Sequence, residues 1–301
     1  MNDSRTVVVG YDGSVEAAQA VRWAARQAAA RHCQLLLVHC SLWPLLTDNL
    51  GPVPGVADSG LERSAQITLE EGLSHARHLE PELDIETKLV YGWPAEHLVK
   101  ISAGKDLLVV GSRGIGGFMG LLIGSVSLEM AATAACPVAV IRSDDHPKGP
   151  VVVAVDGSGS PTALEDACAM AATSQSSLTI IHVRHTPAGY RQLRDPVDAE
   201  AAADEVVNTA IETARALAPA IAVEGRVLTD TSIPRAILNA SKGAGITVVG
   251  TKGQGLIRGT IGSTAHAVLH HAHGPVLISR RSTTRGGPAE TDSNGPFVGF
   301  V

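Results

Sequence analysis

A glycine- and serine-rich segment carries the clearest chemical pattern in the sequence. Gly111 and Gly114 follow an apolar run, and nine residues separate Gly114 from Gly124, Ser125 and Ser127, which open a helical segment. Glycine lets the backbone approach a phosphate closely, and a helix N-terminus presents unpaired N–H groups with a favourable dipole. Because serine hydroxyls add further donors, the segment predicts a phosphate-binding loop.

A carboxylate and a guanidinium accompany this loop. Asp12 comes just after the first apolar run, and Arg113 lies inside the glycine segment. A carboxylate at the end of a strand can bind a ribose hydroxyl or a metal ion that accompanies phosphates, and Arg113 adds positive charge. In the simpler alternative, Asp12 caps the first helix and the glycines only connect a strand to a helix. Both interpretations stay open on these residues alone.

Other phosphate and nucleophile motifs are missing from the sequence. It contains no G-x-x-x-x-G-K-[ST] segment, and its first strand-to-helix turn reads Asp-Gly-Ser rather than G-x-G-x-x-G. It also lacks the G-x-S-x-G segment of hydrolases. The sequence therefore predicts neither a Walker-type loop nor a catalytic nucleophile, and we assign no catalytic residue.

Two copies of one pattern make up most of the chain. The offset between matching residues is 144 at Asp12 and Asp156 and shrinks to 138 at Pro137 and Pro275. A period of this length is too long for a solenoid repeat and indicates a tandem duplication. We expect domains at 1–143 and 150–281, and a disordered tail at 282–301.

Each copy alternates short aliphatic runs with helical segments. Such runs, without period-2 alternation, are typical of parallel strands covered on both faces. The predicted strands are 6–11, 34–40, 85–91, 106–111 and 137–142, then 151–155, 177–183, 221–228, 245–250 and 275–280. For the helices, we expect Ser14 and Ser158 to cap the first of each copy, Pro94 and Pro234 to begin the third, and 195–217 to form another. The pattern predicts a doubly wound α/β fold with helices on both faces of the sheet.

Composition and charge narrow the class of protein. Hydrophobic residues make up 45% of the chain and charged residues 18%, which is typical of a globular protein. The net charge of −6 argues against a general affinity for nucleic acid. The sequence has neither a membrane-length apolar run nor a signal peptide, and its four cysteines are scattered singly. We therefore expect free thiols and a cytoplasmic protein without a membrane association. The segment 42–58 is expected to be a long loop, either a lid or an interaction surface.

Histidines form a second conspicuous group. His266, His270, His271 and His273 lie near one predicted helix end, where the helix dipole favours imidazolium. The i, i+4 spacing of His266 and His270 also fits a zinc pair, but the first copy has no matching ligands. We expect exposed imidazoles and no metal site built from protein ligands alone.

The repeated motifs resemble those of the universal stress protein family in its ATP-binding branch. The resemblance covers 6–142 and 151–280 and rests on Val-Gly-Tyr-Asp12-Gly-Ser, Leu-Val-His39, the spaced glycines and Cys-Pro-Val. It implies two tandem Rossmann-like domains (adenine nucleotide alpha hydrolase-like), each with a five-stranded parallel sheet. It also implies bound ATP, with Mg²⁺, at the carboxyl edge of each sheet.

The resemblance assigns site residues by position. Asp12 and the backbone near Val38 and His39 would hold adenosine, and the glycines and serines would surround ribose and phosphates. For the first copy the expected ATP-binding residues are Gly10, Asp12, Val38, His39, Gly111, Arg113, Gly114, Gly124, Ser125, Val126 and Ser127. For the second copy they are Asp156, His182, Val183, Gly250, Lys252, Gly253, Gly262, Ser263 and Thr264.

The second copy departs from the pattern. Eight residues, rather than nine, separate Gly253 from Gly262, and Ala265 replaces Ser127. We therefore expect ATP in both copies, more weakly in the second. The residues themselves favour a packed role beside the sites for His39 and His182, whereas the resemblance places both among the ATP-binding residues.

Three functions remain open at this point. The first is an ATP-dependent regulator or sensor in stress response, acting on a protein partner that the sequence does not identify. The second is a slow ATPase or autophosphorylating enzyme, and the third is a scaffold with vestigial sites. Family members pair through their last strands, so we expect 137–142 and 275–280 to pair within the chain as a pseudo-dimer, and the whole chain to form a homodimer.

Overall fold

The computed structural model describes residues 5–42, 58–115, 122–142, 146–186, 196–251 and 260–280. The strands of the first copy are β1 (Thr6–Gly10), β2 (Gln34–Ser41), β3 (Ile85–Tyr91), β4 (Leu107–Gly111) and β5 (Val138–Ile141). Its helices are α1 (Val15–Ala30), α2 (Asp58–Leu79), α3 (Pro94–Ser102) and α4 (Ser125–Thr133).

The second copy repeats this order. Its strands are β6 (Val151–Val155), β7 (Leu178–His185), β8 (Val223–Asp230), β9 (Ile246–Gly250) and β10 (Val276–Ser279). Its helices are α5 (Pro161–Ser174), α6 (Pro196–Leu217), α7 (Ile233–Ala240) and α8 (Ser263–His271). Each predicted strand is present, with ends that differ by at most two residues.

One ten-stranded sheet runs through both copies in the order β3-β2-β1-β4-β5-β10-β9-β6-β7-β8. Pairing is parallel within each copy, as at Val8 and Leu108, and antiparallel where β5 meets β10, as at Ala139 and Leu277. The predicted pairing of the last strands within the chain is therefore confirmed.

Aliphatic side chains fill both faces of the sheet. Val7, Val9 and Leu37 lie in the apolar layer on one face, and Val8 and Leu36 lie in the layer on the other. Each layer contains residues of both copies, which explains why the strands are apolar throughout rather than alternating.

Two polar contacts involve α5, the first within the second copy and the second between the two copies. Asp166 on α5 accepts a hydrogen bond from Ser279 Oγ at 2.5 Å, and burial raises the pKa of this carboxyl to about 6. Nearby, Arg31 at the end of α1 donates to Met170 Sδ at 2.7 Å. The described cysteines are free thiols, of which Cys136 and Cys168 are buried.

The helix starts test the predicted caps. Ser14 caps α1, since its Oγ accepts the N–H of Ala17 at 3.1 Å. The same prediction for Ser158 is wrong, because α5 begins only at Pro161, after Gly159 (φ +77°) and Ser160 (φ +45°). These two residues lengthen the turn, and Ser158 instead donates its hydroxyl to Asp156.

The third helices begin near their prolines. Pro94 is the first residue of α3, as predicted, whereas Pro234 is the second residue of α7, which Ser232 caps. No helix in the described part of the chain is long and apolar enough to cross a membrane. The predicted loop 42–58 lies mostly outside the described residues, as does the tail 282–301.

Candidate functional site

The first candidate site lies where the strand order of the first copy reverses. β1 and β4 are neighbours in the sheet, but the chain leaves them toward β2 on one side and β5 on the other. In open α/β sheets, ligands bind at the carboxyl ends of the strands beside such a switch point. Asp12 follows β1 and Gly111 ends β4, so the sequence-predicted groups meet at this edge.

Asp12 organises the loops of this edge through its carboxylate. Oδ1 accepts the N–H of Ser14 and Oδ2 accepts the N–H of Ile115, each at 3.0 Å. Gly114 lies against the same group, because a Cβ at this position would come 2.4 Å from Oδ2. Asp12 therefore does not cap α1 as the simpler interpretation held, because Ser14 is the cap; the carboxylate of Asp12 instead fixes the turn before that cap and the glycine segment after β4.

The glycine segment is held tightly between α1 and α4. A Cβ at Gly111 would lie 2.8 Å from the carbonyl carbon of Glu16, so the strand end needs a residue without a side chain. Ser127 is buried, and its Oγ donates to the carbonyl oxygen of Gly111 at 2.6 Å. Its hydroxyl hydrogen is thus committed to the loop rather than to a phosphate. Gly10 has no such constraint, since the closest atom to an added Cβ is Leu98 Cδ1 at 3.4 Å.

The N-terminus of α4 has no side-chain cap, whereas the N-terminus of α1 is capped. Gly124 occupies the cap position with β-region dihedrals (φ −77°, ψ 155°), and because glycine has no side chain, it gives the N–H groups of the first turn no side-chain acceptor. That turn also carries no acidic residue, whereas α1 has Ser14 as its cap and Glu16 in its first turn. Ser125 is exposed here and Val126 is half-buried.

Arg113 is paired within the protein. Its Nε and Nη2 both donate to Glu16 Oε1, the former at 3.0 Å. Sequence reasoning missed Glu16, whose place two residues after the helix cap is the signal that could have found it. The pair links the glycine segment to α1 and partly offsets the charge of Arg113.

His39 and Val38 support the turn after β1. His39 is buried, and its Nδ1 donates to the carbonyl oxygen of Tyr11 at 2.8 Å. Val38 O accepts the N–H of Tyr11 at 2.9 Å. In the second copy, His182 Nδ1 donates to Val155 O at 3.0 Å, so both histidines hold the strand end before the acidic residue.

The second candidate site has the same scaffold with different details. Gly262 donates its N–H to Thr251 O at 2.8 Å, as Gly124 donates to Ser112 O at 2.7 Å in the first copy. Gly262 also occupies the cap position of α8 without a side-chain hydrogen bond. Ala265 is buried at the position of Ser127, so the contact to the strand end is lost.

The other predicted residues of the second site are placed as follows. Ser263 is exposed and Thr264 is half-buried in the first turn of α8, Val183 is half-buried on β7, and Gly250 ends β9. Lys252 and Gly253 lie outside the described residues.

Asp156 is the acidic group of this second site. Its Oδ1 accepts the N–H of Ser158 at 2.9 Å and the hydroxyl of Ser158 at 2.6 Å. Burial alone would raise the pKa of Asp156, but hydrogen bonds from Ser158 and Ser160 outweigh it and hold the pKa below its usual value. The carboxylate is thus directed into its own turn.

Comparisons with known proteins identify the duplicated unit. The model of the universal stress protein family matches the chain twice, over residues 4–142 and 149–280. The chain belongs to the universal stress protein family. Universal stress protein Rv2005c of Mycobacterium tuberculosis (strain ATCC 25618 / H37Rv) is 33% identical over 297 residues, which cover 92% of this chain and 97% of that protein.

A second relative agrees with the family, and a solved structure agrees with the fold. Universal stress protein Rv2623 of the same organism is 32% identical over 310 residues, covering 94% of this chain and 99% of that protein. The crystal structure of a universal stress protein from Archaeoglobus fulgidus DSM 4304 matches with a TM-score of 0.66 at 20% identity, over 92% of this chain and 97% of that one. The predicted Rossmann-like α/β fold of two tandem universal stress protein domains is confirmed.

The histidine group of this universal stress protein lies on and after α8. The rings of His266 and His270 have centroids 4.4 Å apart, tilted by 37°. The pKa of His270 is lowered, mainly by burial and then by the positive charges of His266, Arg142 and His271. Among the described residues, no group of three or more histidine, cysteine or acidic side chains could hold a metal ion.

Proposed function

We propose that this universal stress protein binds ATP at the first site and acts as a nucleotide-dependent regulator in stress response. The observation that carries the proposal is the open N-terminus of α4, bordered by Gly114 and Gly124. Its first-turn N–H groups have no capping side chain among the described residues, and a helix N-terminus favours an anion. Phosphate oxygens are the acceptors that this arrangement fits best.

Each residue has a limited part in the proposed site. The N–H groups of Ser125, Val126 and Ser127 bind phosphate oxygens, with the Ser125 hydroxyl as a further donor. Gly114 and Gly124 leave room for the phosphates, and the backbone at Val38 and His39 contacts the adenosine. Arg113 contributes less charge than its type suggests, because Glu16 already pairs with it.

Mg²⁺ fits beside Asp12. Each carboxylate oxygen of Asp12 accepts one N–H group, which leaves lone pairs for a cation. One carboxylate is a usual protein contribution to a Mg²⁺ site that phosphates and water complete. Bound there, the ion would neutralise phosphate charge, while Asp12 keeps the two loops in place.

Three differences make the second site weaker in this proposal. Ala265 removes the hydroxyl that fixes the strand end, the loop before Gly262 is one residue shorter, and Asp156 is engaged by Ser158. The open N-terminus of α8 remains, so we expect binding at this site with lower affinity.

The site favours binding over turnover. Besides Asp12, the acidic group that the described residues place at this edge is Glu16, and Arg113 occupies it. A general base must be free to take a proton from the attacking group, whereas in this proposal Asp12 is taken by Mg²⁺ and Glu16 by Arg113. A regulator therefore agrees with the geometry better than an ATPase or an autophosphorylating enzyme.

Isothermal titration of the intact chain with ATP and Mg²⁺ tests the proposal. We expect one stronger and one weaker site, and Gly114→Ala should weaken the stronger one by about tenfold, because its Cβ displaces the Asp12 carboxylate. Gly274→Ala is the matched control, since its added Cβ would meet only Ala244 O at 3.6 Å. Zero stoichiometry in the intact chain would overturn ATP binding, and release or transfer of labelled γ-phosphate above the blank would favour the enzyme.

A further inference from the structure

An arginine directly follows the last strand of each copy. Arg142 comes after β5 and Arg280 after β10, at equivalent positions of the repeat. Because β5 and β10 are antiparallel neighbours, the two arginines leave the sheet at opposite edges. Each side chain is half-buried and reaches into the other copy.

Arg280 of the second copy binds the C-terminal end of α4 in the first. Its Nη1 donates to Ala134 O at 2.6 Å, and its Nη2 donates to Ala132 O. The last carbonyl groups of a helix lack partners within the helix, and the planar fork of a guanidinium suits two of them at once. Burial lowers the pKa of Arg280, because removing the guanidinium from water disfavours its charge. The hydrogen bonds to the two carbonyl groups offset this cost.

A side chain of the first copy also contacts this helix end. Ser102 Oγ accepts the N–H of Ala135 at 2.9 Å. That bond holds the segment just after α4, whereas the carbonyl groups of Ala132 and Ala134 are bound from the second copy. The end of α4 is therefore built from both copies.

Arg142 makes the reciprocal contact. Its Nη2 donates to the carbonyl oxygen of Leu269, in the last turn of α8. Arg142 directly follows Ile141, which pairs with Gly111 at the end of β4, so Arg142 leaves the sheet beside the glycine segment of the first site. Burial, with Arg113 as a second cause, lowers the pKa of Arg142. The end of α8 is thus tied to the edge that carries the first site.

The two helices held in this way are those whose open N-termini face the candidate sites. α4 and α8 each have nine residues, which corresponds to about 14 Å at 1.5 Å per residue. A helix this short moves as one unit, so a shift at its C-terminus also moves the N–H groups of its first turn. A positive charge at the C-terminal end further stabilises the helix dipole.

We infer that Arg280 and Arg142 are positioning residues that act across the pseudo-dimer, each on the phosphate-binding helix of the opposite copy. Arg280 holds α4 for the first site, and Arg142 holds α8 for the second. The position of each phosphate-binding helix, and with it the affinity of each site, therefore depends on an arginine of the opposite copy. The part of this inference that concerns ligands rests on the proposed ATP binding, whereas the part that concerns the helices does not.

Hydrogen exchange of the intact chain, without nucleotide, tests the helix part. We expect Arg280→Gln to speed amide exchange in α4 by about tenfold and to leave α8 nearly unchanged, since hydrogen bonds to a charged donor are lost at one helix only. Arg142→Gln should do the reverse. Arg226→Gln is the matched control, because this exposed arginine pairs with Glu224 on β8, away from both helices.

The crossed pattern separates positioning from a general loss of stability. Equal acceleration in both helices by either variant, or no acceleration at all, would overturn the inference. Arg280→Lys keeps the charge but loses the fork, and we expect it to restore only part of the protection of α4.

Titration with ATP and Mg²⁺, followed by exchange protection of α4 and α8 separately, tests the ligand part. We expect Arg280→Gln to weaken the ATP-dependent protection of the first turn of α4 by about fivefold, the effect of losing hydrogen bonds from a charged donor at the other end of the helix. Unchanged affinity at α4 would overturn the role of Arg280 in the first site. Absence of protection in the unaltered protein would instead contradict the proposed ATP binding and leave the crossed exchange result as an independent test of the arginines.

Discussion

At the scale of single residues, two glycines that look equivalent in the sequence differ in the space around them, because α1 comes close to the end of β4. Gly10 and Gly111 both end strands at the switch point, and both were predicted site residues. Only Gly111 faces backbone atoms at a distance that excludes a side chain, since Ala17 N would lie 2.9 Å from its Cβ. Backbone cannot rotate away as a side chain can.

The first prediction follows from this contrast. Gly111→Ala should lower the free energy of unfolding by about 1–3 kcal/mol, the usual cost of overpacking, because α1 has to move. Gly10→Ala meets the end of the Leu98 side chain at an ordinary distance and should change stability by less than about 1 kcal/mol. Urea unfolding of both variants checks the pair, and equal effects would contradict the role of backbone contact.

At the scale of elements, the two copies begin their first helices differently. Ser14 caps α1 directly, but the equivalent Ser158 lies outside α5 and is exposed. The consequence is that one serine stabilises a helix and the other only hydrogen-bonds Asp156.

This difference gives the second prediction. Ser14→Ala should destabilise the protein by about 1 kcal/mol, because the N–H of Ala17 loses its acceptor. Ser158→Ala removes an exposed hydrogen bond and should cost less than about 0.5 kcal/mol. Thermal or urea unfolding of the two variants measures this, and a larger loss for Ser158→Ala would show that the turn before α5 matters more than the cap of α1.

Strands were predictable here for a physical reason, and the helix starts were less so. Runs such as Leu107–Gly111 are apolar because both faces of the sheet are covered. Such strands can therefore be recognised from the sequence alone. The turn before α5 depends on Gly159 and Ser160 adopting positive φ, a backbone choice that the Asp-Gly-Ser motif does not specify. The pairing of Arg113 with Glu16 joins residues 97 positions apart and needed the fold to be seen.

At the scale of the whole molecule, the sheet and its two apolar layers continue from one copy into the other. Leu277 of β10 is buried and lies opposite Ala139 of β5, and both belong to the same apolar layer. A shared core of this kind favours unfolding of both copies in a single transition. The sequence provides a probe for this, because its three tryptophans, Trp23, Trp43 and Trp93, all lie in the first copy.

The last prediction is therefore that a change in the second copy is reported by the first. Leu277→Ala should destabilise the protein by about 2–5 kcal/mol and shift the unfolding midpoint equally in tryptophan fluorescence, which reports the first copy, and in circular dichroism, which reports both. Val207→Ala is the control for local contact, since Val207 is buried on α6 beside β8, far along the sheet from β5. A smaller but equal shift by both probes is expected for it. A cooperative sheet transmits destabilisation at either position to the tryptophans of the first copy. If the fluorescence midpoint stays unchanged while the circular dichroism midpoint shifts, the two copies unfold independently, and the pairing of β5 with β10 does not make them one cooperative unit.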